Sequence, residues 1–167
     1  MNQLLDTIKK VEATPEYSSF HAKDPEAFLA HVFLMEDDPS SIGEFQVGYY
    51  NPSLKLMTTF MVRDGAITVM PDLEVFQRPG SEILPLDPAI VRFDEKQMME
   101  KASAIQKEIY PGNVIIKHIF ILQNLSIGQV FNISLITRAF KVINLKFDAL
   151  TGVLMKHHMD SLLTVTK

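Results

Sequence analysis

Cysteine and tryptophan are both absent from this chain of 167 residues. The first absence excludes disulfides, thiol nucleophiles and thiolate metal sites. Glycine is sparse, at seven. The glycines form neither Gly-x-Gly-x-x-Gly nor Gly-x-x-x-x-Gly-Lys, so no phosphate-cradling loop is indicated. No basic excess exists, the net charge being −4; a nucleic-acid partner, which needs a basic patch or stripe, is not expected. Long apolar runs are missing as well. The longest, Val114 to Leu122, is interrupted by Lys117 and His118. It is far shorter than the roughly 20 residues of a membrane-spanning helix. Near the start, Leu4, Leu5 and Ile8 are spaced apart and Lys9-Lys10 follow them. A secretory signal has the opposite order, and Asn2 offers no lipidation site. The expectation is a cytoplasmic protein with no membrane span.

What is present suits a globular fold. Apolar residues make up 47% and charged residues 22%. A chain of this size buries roughly 68–70% of its unfolded surface, so it needs no metal or cofactor to fold. Leu4, Leu5, Ile8 and Val11 have helical spacing and predict a short helix ended before Pro15. Asp24 followed by Pro25 reads as a helix start, with Phe28, Val32 and Met35 on one face. Asp37 to Ser41 reads as its closing loop. Strands are expected over 44–50, 54–62 and 66–70, with Asp64-Gly65 as a hairpin turn. Pro71, Pro79, Pro85 and Pro88 mark residues 73–92 as a connector, packed down through Leu73, Val75, Phe76, Ile83 and Leu86. Asp94 with Gln97 predicts a capping box, followed by the stripe Met98, Ala102, Ile105 and Ile109. Strands are then expected over 114–123, 129–137, 140–147 and 153–158. The first of these is apolar enough to be buried on both faces.

The expected organisation is therefore α+β: N-terminal helices and a three-stranded meander over 1–72, the connector over 73–92, and a helix with a four-stranded meander over 93–167. The two meanders both begin Ile-Gly, at Ile42 and at Ile127, and both carry a glycine turn after an aspartate. This suggests two helix-plus-antiparallel-meander units around a shared core. In the second unit, Phe147-Asp148-Ala149-Leu150-Thr151-Gly152-Val153 resembles the last hairpin of a PepSY domain. Asp148, Ala149, Thr151, Gly152 and Val153 match, while Leu150 stands where a polar residue is usual. The resemblance covers about residues 94–158. It implies a non-catalytic module linked to peptidases, found at or outside the cell envelope, and it carries no catalytic residues.

Direct chemistry is thinly signalled. His21, His31, His118, His157 and His158 show no helical zinc spacing. His157 and His158, adjacent on a strand, point to opposite faces. Asp37-Asp38, an adjacent acidic pair, reads as a solvated helix end. No Gly-x-Ser-x-Gly elbow occurs. Neither catalytic nor metal-binding residues are assigned. The polar positions Asn132, Ser134, Asn144 and Lys146, with Lys156 beside them, fall on one face of the second meander and form a candidate partner surface. The expected function is a protein-interaction module with a protein partner and a homodimer in view. Two alternatives are a carrier of a small apolar ligand, with its pocket between helix and sheet, and a secretion-chaperone-like protein.

Overall fold

The computed structural model describes residues 2–36, 43–75 and 81–163. Helix α1, Gln3–Glu12, is capped by Asn2 and buries Leu4, Ile8 and Val11, as their spacing requires. Pro15 then opens a second helix, α2, Pro15–Lys23, which the sequence pattern did not announce. Proline suits a first helical turn because its missing N–H has no partner there anyway. Thr14 caps this helix by accepting from the Tyr17 N–H.

The helix expected from Asp24 does not form. Asp24 closes α2, and the chain continues as strand β1, Phe28–Glu36. Proline disfavours helical backbone at the residue before it, so Asp24-Pro25 acts as a stop rather than a start. The run that follows is apolar on both sides, and periodicity alone does not separate a buried strand from a buried helix. Val32 and Leu34 alternate into the interior, while Ala30, also buried, sits where the register shifts. The loop expected over residues 37–41 and the connector residues 76–80 lie outside the described residues.

Strands β2 (Glu44–Asn51), β3 (Leu56–Arg63) and β4 (Ala66–Val69) follow, with the short β5 (Leu73–Glu74) beside β3. Asp64 and Gly65 take positive φ, 50° and 78°, so the β3–β4 hairpin closes as expected. The 3-10 turn Pro88–Ile90 leads to α3, Glu95–Ile109, whose Asp94–Gln97 capping box is complete. Met98 and Ala102 of its stripe are buried, but Gln106 completes the inner face and Ile109 is exposed. Strands β6 (Ile115–Leu125), β7 (Gly128–Thr137), β8 (Lys141–Asp148) and β9 (Leu154–Ser161) complete the chain.

Among the described residues, nine strands form one antiparallel sheet, in the order β4-β3-β2-β1-β6-β7-β8-β9 with β5 off the path. The two halves join where β1 pairs with β6, for example Val32 with Leu122 and Leu34 with Phe120. Reading β1 as a strand also removes an apparent asymmetry: each half has four path strands, so the first meander is not three-stranded. The Ile-Gly correspondence does not follow strand geometry. Aligning Gly43 with Gly128 sets Val47 on Asn132, yet Val47 is fully buried and Asn132 is not. An odd slip of this kind exchanges the two faces of a strand.

The core lies on one face. Leu4, Ile8 and Val11 of α1 and Met98 and Ala102 of α3 join Val32, Leu34, Val47, Phe60, Phe120, Phe131, Ile133 and Leu145 in a single cluster. Helix α2 contributes its rings: Tyr17 sits 5.2 Å from Tyr49, and Phe20 sits 5.6 Å from Phe60. Helices α1, α2 and α3 therefore serve one side of the sheet. This corrects the reading of 114–123: Phe120 and Leu122 are buried, whereas Ile119 and Ile121, on the other side, are only half-buried.

Candidate functional site

Alternation places His31, Phe33 and Met35 of β1, Ile119, Ile121 and Gln123 of β6, Asn132 and Ser134 of β7, Asn144 and Lys146 of β8, and Lys156 and His158 of β9 on the face opposite the helices. The four residues singled out in the second meander are thus brought together. Asn132 pairs with Lys146 and Ser134 with Asn144 across β7–β8. Asn144 is the hub, at only 8% exposure. Its Nδ2 donates to Asn132 Oδ1 (2.7 Å) and Ser134 Oγ (3.0 Å). Its Oδ1 accepts from Lys146 Nζ at 2.5 Å. Asn144 therefore positions its neighbours and offers little surface of its own.

Lys146 is directly opposite Lys156 of β9. Burial, and then the neighbouring Lys156 charge, hold the Lys146 amine below its ordinary range. Like charges placed directly across two strands are destabilising. Among the described residues, no carboxylate lies within salt-bridge distance of either lysine.

A cavity opens beside this pair. It measures about 620 Å³ and is lined by Ala30, His31, Met57, Gln123, Lys146 and Lys156 from the sheet and by residues 81–84 from the connector. That volume is within the range of small-molecule sites. The connector is held as a wall at one end of the face. Leu86 N–H donates to Leu29 O (2.8 Å), Asn124 Nδ2 donates to Pro85 O (2.9 Å), and Gln129 both accepts from and donates to the Asp87 backbone. The His31 ring lies flat against Gly48, where a Cβ atom would stand 2.3 Å away. Burial holds this imidazole below its ordinary pKa, so it is neutral at neutral pH. His31 and the connector wall were missed in the sequence, because β1 carried a false helix signal and no residue pattern fixes where a proline-rich segment runs.

Other candidates have ordinary explanations. His157 sits on the helix side, with its Nδ1 2.7 Å from Tyr110 Oη, while His158 faces away and meets Asp160. His118 lies on the helix side and His31 on the other. No group of three His, Asp or Glu gathers among the described residues. Asp37-Asp38 lies outside them. Asp94 caps α3, and the Asp24 carboxylate accepts from Asn51 Nδ2. A carboxylate pair does form on the helix side, where burial raises both Glu36 and Glu95 and Glu95 adds repulsion to Glu36.

The PepSY-like hairpin is accounted for residue by residue. Asp148 Oδ1 accepts from the N–H groups of Leu150 (2.9 Å) and Thr151 (2.8 Å) and from the Thr151 hydroxyl (3.1 Å). Ala149 is fully buried and bonded to Gln129. Gly152 takes φ 73°, with the Phe93 ring packed where a Cβ would be. This turn folds the chain and presents no reactive group.

No family model matches the chain, and no curated protein matches it in sequence. Among solved structures, the fold is similar to that of a protein from Clostridium difficile 630, described there as a candidate lipoprotein. The two are 16% identical, with a TM-score of 0.54 over 87% of this chain and 90% of the other. The likeness is one of fold.

Proposed function

We propose that this chain is a non-catalytic interaction module whose working surface is the uncovered face of its sheet. One observation carries the reading. A polar cluster, ordered by the internal hydrogen bonds of Asn144, sits on a sheet face that, among the described residues, no helix covers. A solvated face needs no such ordering, because each group would be satisfied by water. The occupant is a protein partner. Beside the cluster, Phe33, Ile119 and Ile121 are half-buried and Met35 is 40% exposed, an apolar strip with a polar rim of the kind protein interfaces use.

The PepSY-like reading belongs to the same proposal. Helix α3 followed by β6–β9 has the helix-and-meander order of that family, and modules of this kind act by docking. The repeat belongs here too: the order β4-β3-β2-β1-β6-β7-β8-β9 is symmetrical about the β1–β6 seam, which supports two related units.

The test is a variant-controlled capture from lysate of the source cells. Wild-type chain, Asn132→Arg, Met35→Arg and the helix-side control Lys101→Glu serve as bait, with captured proteins identified by mass spectrometry. The expected result is one protein held by wild type and Lys101→Glu and lost by both face variants. Equal capture by all four, or loss only with Lys101→Glu, would overturn the assignment of the face. A second copy of the chain as the captured species would make the face a homodimer interface.

A further inference from the structure

The cavity at the end of this face has a chemistry of its own. Its lining includes the cross-strand pair Lys146 and Lys156, two cations placed side by side with no carboxylate in salt-bridge distance among the described residues. Lys146 is held there by Asn144, which is itself fixed by Asn132 and Ser134. Around the lysines the lining turns apolar, through Ala30, Met57, Ile83 and Leu84. An inorganic anion alone would leave that lining wet, and a neutral apolar body would leave the lysines unpaired.

We propose that the 620 Å³ cavity binds a small anionic amphiphile, with its carboxylate or phosphate head between Lys146 and Lys156 and its apolar body against Met57, Ile83 and Leu84. The head relieves the repulsion between the lysines by charge-assisted hydrogen bonds, which are the strong ones. The body displaces water from the connector wall. Glu82, the one carboxylate lining the cavity among the described residues, opposes the head. His31 stays neutral at neutral pH and becomes a third cation in acid. This inference rests on the uncovered face being the working face, though its ligand is not the protein partner.

The experiment is calorimetric titration of the purified full chain with decanoate and decyl phosphate, both below their micelle concentrations, decanol below its solubility limit, and inorganic phosphate. At least one of the two acidic amphiphiles should bind at one per chain, and decanol and inorganic phosphate far more weakly. The comparison of decanoate with decyl phosphate tells which head the site takes. Lys156→Met, an exposed position, should weaken binding about tenfold or more, the usual worth of one charged hydrogen bond. Lys146→Met should do the same, and Glu82→Gln should tighten binding. Folded wild-type chain that binds neither amphiphile would overturn the proposal. So would unchanged affinity in Lys156→Met, or inorganic phosphate binding as tightly as decyl phosphate. None of these failures touches the protein-capture test, which uses other residues and no amphiphile.

Discussion

Strand β7 shows the two sides of the molecule in a single stretch of chain. Phe131, Ile133 and Leu135 point into the core with Met98 and Ala102 and are sealed from water. Asn132 and Ser134, the residues between them, join a hydrogen-bonded cluster on the other side. The backbone is the same, so the difference is set by side-chain alternation and by where the helices lie. Each side also carries a like-charge pair. Glu36 faces Glu95 on the helix side, and Lys146 faces Lys156 on the other. In the acidic pair, the Glu95 carboxylate is held by the Gln3 and Leu4 N–H groups at the start of α1. The basic pair has no such explanation, which is why a ligand is placed there.

The largest expected effect tests whether the second side is open in solution. Phe131→Ala removes a fully buried ring and should cost about 3–5 kcal/mol. Ile121→Ala, on the uncovered side of β6, should cost only about 1 kcal/mol, since a half-buried side chain has less transfer energy to lose. Urea unfolding at equal slope measures both. Losses of equal size would mean that Ile121 is covered in solution, and would point to a second copy over this face.

A smaller effect probes how His31 reaches the cavity. In Gly48→Ala the new methyl collides with the imidazole, and the displaced ring should cost about 1–3 kcal/mol. Adding His31→Ala should recover most of that loss, leaving a clear coupling in the double-mutant cycle. Additive losses would show that the ring is not what fills the space over Gly48.

These residues also mark where the sequence could be read and where it could not. The Asp94–Gln97 box, the Asp64-Gly65 hairpin and the alternation of β7 and β8 are local signals, each set within a few residues, and each is realised. The four polar positions were legible for the same reason: alternation alone decides that Asn132, Ser134, Asn144 and Lys146 share a face. Misreading β1 as a helix was also local in origin, because Asp24-Pro25 is chemically both a stop and a start. Its consequences were long-range: it hid the β1–β6 seam, His31 and the symmetry of the halves. The cavity was not legible at all. It depends on where residues 81–84 come to rest, and that is fixed by hydrogen bonds from Gln129 and Asn124 across some 40 residues of chain.

The two like-charge pairs predict opposite pH behaviour. Burial and then Glu95 raise Glu36, so its folded form holds a proton more tightly than the unfolded chain does. Its contribution to stability is present in acid and is lost as pH rises through the folded pKa. Glu36→Gln should therefore stabilise the protein at neutral pH and lose that advantage below about pH 4, the ordinary carboxylate range. Lys146 is lowered, so its penalty is present at neutral pH and fades only in strong base. Lys146→Met should raise the melting temperature at pH 7, with little change in that gain down to pH 4. A gain from Lys146→Met that vanished in acid would break the contrast.

The smallest effect comes from a group that serves neither face. Asp148 closes the β8–β9 turn, and the Thr151 N–H is the main reason its carboxyl lies below the ordinary range, with help from Leu150 and the Thr151 hydroxyl. Being depressed, it contributes stability above the unfolded pKa and loses it as pH falls through the folded one. Asp148→Asn keeps the side-chain oxygen as an acceptor and removes only the charge. At a position this exposed the loss should be within about 0.5 kcal/mol at pH 7, and it should shrink toward zero in acid as the wild-type carboxyl protonates. Binding to either occupant of the uncovered face should not change, since the charge is spent on its own turn. A change in amphiphile affinity with Asp148→Asn would mean that the end of β8 moves with the turn, and that the lysine pair is placed by this hairpin as well as by Asn144.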